Sequence, residues 1–311
     1  MGRRFKFGIC TDQNMTWAKT VERWQLFERL GIESAWLCDH LVQPSRPQGP
    51  YFEAWTLLAG LAACTKRIRI GVLVTSNTFR NPALLGKMAV TVDHISNGRL
   101  EMGLGAGWYE PEHTMFGFPF PEPRELVGRF MEAVKVVDLI LREDTSSFQG
   151  RYYQLREARS RPASVQRPRP PLVLGAFGPR MLRFAARYAD TWNAFGSPQE
   201  MRERNQMLDH FCREIGRDPE TLDRSLYYWV PKTDADPWVS EQAFHDVLGP
   251  YIEAGMNQFI LDQPRDDQIG MLERVAAEVL PRYAQQSPRR VEAMSGGGID
   301  PSRWQKPVDH L

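Results

Sequence analysis

The amino-acid sequence predicts an α/β protein with the fold of a (β/α)8 TIM barrel. Three observations support this prediction: the chain has 311 residues, short apolar runs alternate with longer segments of helical period, and eight such pairs can be counted. Alternating strands and helices indicate a parallel sheet, and barrels of this class are typically about 250 residues long. Both the number of units and the length favour a closed barrel over an open doubly wound sheet.

The first half of the chain contains four of the predicted strand and helix pairs. From Trp17 to Leu30, apolar side chains recur at the spacing of an amphipathic helix. Asn81 and Pro82 are typical of a helix N-cap and first position, and Asn97-Gly98 is typical of a turn. The predicted strands cover residues 5–10, 34–38, 67–75 and 99–104, and the predicted helices cover 17–30, 51–64, 82–95 and 124–142.

Two segments depart from the alternation before it resumes. Residues 105–123 are predicted to form a long loop, and residues 144–171, rich in Arg and Pro, an insertion outside the barrel pattern. The barrel is therefore expected to span residues 1–286, with the insertion at about 144–171, and residues 287–311 to form a C-terminal tail. The remaining predicted strands cover 172–174, 191–195, 226–230 and 258–261, and the remaining helices begin at Pro179 or cover 199–215, 238–254 and 267–282.

The charge balance argues against a nucleic-acid or membrane partner. Thirty-nine Lys and Arg residues face 38 Asp and Glu residues, so the formal net charge is +1, without the basic excess that polyanion binding needs. No apolar run approaches the roughly 18 residues of a membrane span, and the N-terminus lacks the pattern of a secretory signal. The four Cys residues lack metal-ligand spacing. A small-molecule substrate and a cytoplasmic location are expected.

In a barrel of this kind, functional groups gather at the C-terminal ends of the strands. Asp39 and His40 follow the second predicted strand and form the only acid and imidazole pair at a strand end. A histidine titrates near neutral pH and suits proton transfer, so His40 is the leading catalytic candidate, although a purely structural role stays open. His113, in the predicted long loop, is the second candidate.

Two glycine-rich segments also follow predicted strands. Residues 175–179 precede a helix, whose free N–H groups suit a phosphate, although a plain turn would have the same sequence. Gly103, Gly105 and Gly107 are followed by Trp108 rather than by a helix, which excludes a dinucleotide fingerprint. Their bare backbone would suit the approach of a flat ring, and a simple turn is the alternative.

Five stretches together resemble the bacterial luciferase-like oxidoreductases, and in particular the branch that uses the deazaflavin coenzyme F420. The stretches occur in order and, with the predicted barrel, extend the resemblance over roughly residues 5 to 283. They are residues 37–40, 71–75, 78–82, 96–113 and 188–190.

This resemblance implies a homodimeric barrel with coenzyme F420, or alternatively FMN, at the C-terminal ends of the strands. It implies a non-prolyl cis peptide bond near Leu73 and Val74 that supports the ring, and a catalytic role for His40. The other cofactor-binding positions that it implies are Asp39, Ser76, Gly107, Trp108, Gly175, Ala176, Phe177, Gly178 and Pro179.

Departures from the sugar-phosphate dehydrogenase branch argue against glucose 6-phosphate as the substrate. Residues 41–46 lack the Trp of that branch, and Trp108 stands where it has a Glu. Glu110 or Glu112 could supply an acid nearby, or could serve only as a cap or ion-pair partner. The expected function is hydride transfer between coenzyme F420 and a small organic substrate. The alternatives are an FMN-dependent monooxygenase, a non-catalytic flavin-binding protein and a metal-dependent hydrolase, for which too few ligands converge.

Overall fold

A computed structural model describes residues 3–230, 233 and 235–288 of the chain. Its strands and helices alternate as predicted. The strands are β1 (Lys6–Thr11), β2 (Ser34–Leu37), β3 (Arg69–Val72), β4 (Thr75–Ser76), β5 (Leu100–Gly105), β6 (Thr145–Gln149), β7 (Gln154–Arg159), β8 (Leu172–Gly175), β9 (Thr191–Ala194), β10 (Asp223–Tyr228) and β11 (Gln258–Asp262). The helices are α1 (Trp17–Arg29), α2 (Ala54–Cys64), α3 (Pro82–Ile95), α4 (Glu110–Phe116), α5 (Pro123–Arg142), α6 (Pro179–Tyr188), α7 (Pro198–Glu214), α8 (Glu241–Glu253), α9 (Ile269–Arg274) and α10 (Leu280–Ala284).

Nine of these strands form one sheet in the order β3-β2-β1-β11-β10-β9-β8-β5-β4, and β3 also pairs with β5. The second pairing closes the ring, with the two-residue β4 continuing the line of β3. The strand pairs of this sheet are parallel, for example β2 with β3 and β5 with β8. Eight parallel strand positions with intervening helices confirm the predicted (β/α)8 barrel.

The described chain divides into two compact units. The first contains residues 11–29 and 34–175, and therefore β2, β3, β4, β5, β8 and the β6–β7 pair. The second contains residues 3–10, 30–33 and the described residues from 176 onwards, and therefore most of β1 with β9, β10 and β11. The predicted site residues from Asp39 to His113 all lie in the first unit.

Side-chain caps begin several of the helices. Asn81 is the N-cap of α3, as predicted, because its side chain accepts a hydrogen bond of 2.9 Å from the Ala83 N–H and Pro82 occupies the first turn. Glu53 caps α2 through the N–H groups of Trp55 and Thr56. The predicted turn at residues 97 and 98 is confirmed by positive φ angles of 54° and 81°. These caps and this turn fix the positions at which the segments between strands and helices begin or end.

The prediction of a loop over residues 105–123 is wrong at α4. This helix has Glu110 and Glu112 in its first turn and ends at Gly117, whose φ of 72° gives a left-handed C-cap. Seven residues make only two turns, which is too short for a periodic apolar pattern. The charges and the glycine were the available signals.

Three other elements refine the predicted boundaries. The predicted strand over residues 67–75 is divided into β3 and β4 by the Leu73–Val74 peptide bond. The insertion contains the antiparallel hairpin β6–β7, which pairs with itself and not with the barrel sheet. Of the predicted tail, residues 287 and 288 are described, and 289–311 lie outside the described residues.

Within the described residues, no helix is long and apolar enough to cross a membrane. None of the four cysteines, all in this part of the chain, forms a disulfide.

Close approach between β2, β3 and β5 depends on Gly71. A Cβ atom at this position would lie 2.4 Å from the ring of Trp36 and 2.7 Å from the carbonyl oxygen of Glu101. Trp36 is fully buried, and Ile70 and Gly71 pair with β5. The space that an alanine would need is therefore already occupied by a large ring and by backbone.

We expect Gly71→Ala to lower the free energy of unfolding by about 2–3 kcal/mol, because neither neighbour can move without disturbing the sheet. Urea unfolding followed by circular dichroism measures this loss. Gly270→Ala is the matched control, since a Cβ at Gly270 in α9 would meet no atom within 4 Å, and helical alanine is favoured over glycine. Equal unfolding midpoints for the two variants would contradict the prediction.

Candidate functional site

A buried ion pair joins the ends of β2 and β4. Both oxygens of Asp39 accept hydrogen bonds from the Arg80 guanidinium, at 2.7 and 3.0 Å, and Oδ2 also accepts one of 2.8 Å from the Ser76 N–H. Asp39 is 4% exposed. This predicted cofactor-binding residue therefore has a structural task inside the protein, and its contact with a cofactor stays a prediction.

Arg80 contacts a second carboxylate, that of Glu53, which also caps α2. Burial raises the pKa of the Asp39 carboxyl, and the charge and hydrogen bonds of Arg80 oppose that rise. Burial opposes the charge of Arg80, but the charges of Asp39 and Glu53 outweigh it and raise the pKa of the guanidinium. The Arg80 guanidinium thus forms ion pairs with two carboxylates.

His40, the predicted catalytic residue, is held by a carboxylate. Its Nδ1 lies 2.7 Å from Glu112 Oε1, and Glu112 Oε2 accepts a hydrogen bond of 2.8 Å from the Leu41 N–H. Glu112 is 1% exposed, whereas the His40 side chain is 14% exposed. Since a carboxylate accepts, Nδ1 carries the hydrogen of this pair. Nε2 forms no hydrogen bond with any described residue.

Aromatic rings surround the imidazole of His40. The rings of Trp108 and Tyr109 stand edge-on to it, with centroids at 5.6 and 6.1 Å. Trp108, a predicted cofactor-binding residue, is 36% exposed. The structure therefore brings Trp108 and His40 together, and the contact of Trp108 with a cofactor stays a prediction.

A second histidine, His113, belongs to a chain of hydrogen bonds that starts at Ser76. Ser76 Oγ lies 2.7 Å from Thr78 Oγ1, which lies 2.6 Å from His113 Nε2. His113 Nδ1 lies 2.8 Å from the carbonyl oxygen of Tyr109. His113 is fully buried, so this second catalytic candidate has both ring nitrogens engaged and is placed to act through Thr78 and Ser76.

The glycines after β5 make room for protein atoms. A Cβ at Gly103 would lie 1.9 Å from the carbonyl oxygen of Val72, and one at Gly105 would lie 2.5 Å from Val74 Cγ2. At Gly107, where φ is +91°, a Cβ would lie 2.9 Å from the hydroxyl oxygens of Ser76 and Thr78. The bare backbone that suggested an open face for a ring is therefore packed against residues 72–78.

The peptide bond between Leu73 and Val74 is cis, as the resemblance implies. Leu73 is buried and Val74 is partly exposed. The Val74 side chain also lies close to Gly175, where a Cβ would come within 3.1 Å of Val74 Cγ2. Leu73, Val74 and Gly175 therefore occupy one neighbourhood at the ends of β3 and β8.

The remaining predicted phosphate-loop residues lie in the second unit. Ala176 is buried, and its carbonyl accepts a hydrogen bond of 2.8 Å from the Trp192 indole. Phe177 packs edge-on against Phe195 and lies beneath the guanidinium of Arg204. Gly178 is the N-cap of α6 and Pro179 its first residue, and no side chain caps this helix. The first N–H groups of α6 are consequently without a side-chain partner at the cap.

Sequence reasoning did not identify Arg80, Thr78 or the partner of His40. Arg80 and Thr78 were visible only as members of a matching stretch, and Glu112 was one of two acids with an open role.

Within the described residues, no group of three or more His, Cys, Asp or Glu side chains is placed to hold a metal ion.

Comparison with known proteins identifies the family. The family model described as luciferase-like monooxygenase matches residues 5–293. The chain belongs to this luciferase-like monooxygenase family. Membership confirms the predicted resemblance, and the match covers most of the chain.

Relatives of this luciferase-like protein include an F420-dependent dehydrogenase and a monooxygenase. An F420-dependent glucose-6-phosphate dehydrogenase of Amycolatopsis mediterranei is 25% identical over 82% of this chain and 91% of the relative. The pyrimidine monooxygenase RutA of Acinetobacter baylyi is 29% identical over 65% of this chain and 55% of the relative. These relatives support the prediction of an oxidoreductase, and the first supports coenzyme F420 as its cofactor.

The fold of the luciferase-like chain also matches a solved structure closely. An F420-dependent secondary alcohol dehydrogenase, in complex with an F420-acetone adduct, aligns with a TM-score of 0.80 at 19% identity. The alignment covers 91% of this chain and all of that chain. At this identity, the likeness establishes the barrel fold.

We expect Arg80→Met to lower the free energy of unfolding by about 3–5 kcal/mol at pH 7, because Asp39 is left buried without a counter-charge. Burial then raises the pKa of Asp39 against only the hydrogen bond from the Ser76 N–H. A carboxyl whose folded pKa is raised stabilises the fold at low pH and loses that contribution as the pH rises through the folded pKa. The loss should therefore be smaller at pH 5 than at pH 7, as measured by urea unfolding at both values.

The control for this prediction is the double variant Asp39→Asn/Arg80→Met, which removes both charges. It should be more stable at pH 7 than the sum of the two single losses implies. Strictly additive losses, with no dependence on pH, would show that the ion pair is not what stabilises this region.

Proposed function

We propose that this luciferase-like protein transfers hydride between coenzyme F420 and a small organic substrate, with His40 as the proton-transfer residue. The observation that carries the proposal is the buried carboxylate of Glu112 on His40 Nδ1, which leaves Nε2 without a partner among the described residues. A base that is oriented by a second group and has one open nitrogen is the arrangement that general acid–base catalysis requires.

The direction of the hydrogen bond between His40 and Glu112 determines which nitrogen of His40 can accept a proton. With Nδ1 donating to Glu112, the lone pair of Nε2 is available to a proton on a substrate heteroatom. In the oxidation of an alcohol, the hydroxyl proton would go to Nε2, and the hydride of the adjacent carbon would go to the cofactor when that is bound. In the reverse direction, Nε2 returns the proton to the oxygen. The Glu112 carboxylate stabilises the imidazolium in between.

The residues around His40 fit a planar ring cofactor, which would supply the hydride chemistry when bound. The proposed cofactor-binding positions in the first unit are Asp39, Leu73, Val74, Ser76, Gly107, Trp108 and Gly175. Partly exposed Val74 and Trp108 offer apolar contact, and the Ser76 hydroxyl offers a polar one. Ala176, Phe177, Gly178 and Pro179 are proposed to bind the cofactor phosphate, supported by the uncapped start of α6.

The expected substrate is a small molecule other than glucose 6-phosphate. Trp108 stands directly after the glycine-rich segment, where the sugar-phosphate dehydrogenase branch has an acid, and the carboxylate nearest to His40 is instead committed to Nδ1. Homodimeric assembly, which rests on the resemblance, and a cytoplasmic location, which rests on the sequence pattern, belong to the same proposal. Light scattering of the purified protein tests the assembly.

An FMN-dependent monooxygenase is the second candidate. The specific observation in its favour is the 29% identity with pyrimidine monooxygenase RutA over 65% of this chain. Reduced flavin can activate oxygen, whereas deazaflavin does so poorly. The cofactor therefore decides between the two candidates.

Titration of the purified protein with coenzyme F420 and with FMN, followed by fluorescence, is the deciding experiment. We expect a dissociation constant for coenzyme F420 at least about tenfold lower than that for FMN, a difference of about 1.4 kcal/mol. The reverse order would favour the monooxygenase. No binding of either ring would overturn both candidates, because each requires a ring cofactor.

We expect His40→Ala to reduce turnover by about 100-fold to 10,000-fold while cofactor affinity is retained, because proton transfer is lost. Glu112→Gln should reduce turnover by about tenfold, since a neutral amide replaces a charge-assisted hydrogen bond. Single-turnover reduction of the bound cofactor by a panel of small alcohols measures both.

The matched control is His210→Ala, at a half-exposed position on α7, which should leave turnover unchanged. Full turnover in His40→Ala with normal cofactor binding would make His40 a structural residue.

A further inference from the structure

With a neutral imidazole at His113, the hydrogen bonds of Ser76, Thr78 and His113 have only one consistent direction. The carbonyl oxygen of Tyr109 can only accept, so His113 Nδ1, at 2.8 Å, must carry a hydrogen. In a neutral imidazole, Nε2 then has a lone pair and must accept. Thr78 Oγ1, at 2.6 Å from Nε2, is therefore the donor.

This direction passes on to Ser76. The Thr78 hydroxyl has a single hydrogen, which is already donated to His113. The contact of 2.7 Å between Ser76 Oγ and Thr78 Oγ1 must consequently use the hydrogen of Ser76. The Ser76 hydroxyl has only lone pairs left for a further partner, and Thr78 is the one described residue that hydrogen-bonds to it.

The surroundings of His113 are apolar, and the hydroxyl pair is covered. The imidazole lies between the rings of Phe79 and Phe120, with centroids at 4.8 and 4.7 Å, and no described carboxylate forms an ion pair with it. An apolar environment without a counter-charge disfavours the imidazolium. The Gly107 backbone lies so close to both hydroxyls that a Cβ there would come within 2.9 Å of each.

We propose that Thr78 and His113 are positioning residues that make Ser76 an obligate hydrogen-bond acceptor for an N–H or O–H group of the cofactor ring. A serine hydroxyl that is free to rotate can hydrogen-bond with either a donor or an acceptor. A serine whose hydrogen is already donated to another residue can only accept, and therefore favours a donor group on its ligand. Flavins and deazaflavins both carry an imide N–H of this kind. The inference rests on the proposed function for its ligand, but the direction of the relay is a property of the protein alone.

A double-mutant cycle on cofactor affinity tests whether Thr78 acts through Ser76. The variants are Ser76→Ala, Thr78→Val and the double variant, with coenzyme F420 and FMN titrated separately by fluorescence. For the ring that binds wild type, Ser76→Ala should raise the dissociation constant about fivefold to tenfold, the loss of one neutral hydrogen bond. Thr78→Val should raise it about threefold alone and not at all in the Ser76→Ala background.

Thr78→Ser is the matched control, because it keeps the hydroxyl and should bind the cofactor as wild type does. An equal effect of Thr78→Val in both backgrounds would show that Thr78 acts on folding or loop position instead. That result overturns the relay and leaves the proposed function standing.

Nitrogen NMR of the histidines, in the protein without cofactor, tests the direction itself. The signal of His113, assigned by its loss in His113→Asn, should be that of the tautomer with hydrogen on Nδ1. Thr78→Val should move the Nε2 resonance, whereas Ser76→Ala should leave the tautomer unchanged. Hydrogen on Nε2 would overturn the inference. If neither ring binds wild type, the proposed function and the ligand of Ser76 fail together, and the tautomer alone decides the relay.

Discussion

The ion pair between Asp39 and Arg80 fixes the two segments on which the candidate site depends. Asp39 follows β2 and is the neighbour of His40, while its carboxylate also holds the Ser76 N–H at the end of β4. Because a buried charge is costly without its partner, neither residue can be lost alone. The relative positions of His40 and the Ser76 hydroxyl are therefore set by the ion pair of the adjacent Asp39 with Arg80 and by its hydrogen bond from the Ser76 N–H.

Helix α4 adds a second connection between the same two segments. Its consecutive residues Glu112 and His113 have different partners, His40 after β2 and Thr78 after β4. One short helix thus orients an imidazole on one side and a hydroxyl chain on the other. The two histidines are consequently not interchangeable: one nitrogen of His40 has no hydrogen-bond partner among the described residues, whereas both nitrogens of His113 have one.

The features that could be predicted from the sequence are those that depend on hydrophobic periodicity and on local chemistry. The alternation of apolar runs located the eight barrel strands, and Asn81 with Pro82 located the start of α3. Asp39, His40 and His113 were recognisable because few acids and imidazoles fall near strand ends. Their partners were not, because Arg80, Glu112 and Thr78 come close only through tertiary contacts across 35 to 72 residues of chain. The seven residues of α4 were too few to reveal a period.

The glycine pattern after β5 has a physical cause that its spacing alone does not reveal. Gly103, Gly105 and Gly107 face Val72, then Val74, then the hydroxyls of Ser76 and Thr78. Every second residue of one segment must lack a side chain because the neighbouring segment, residues 72–78, lies against it. The spacing therefore records a close approach between two parts of the protein, not an open surface. Any recognition at this place must come from the chemistry of residues 72–78 themselves, which include the partly exposed Val74 and the hydroxyl of Ser76.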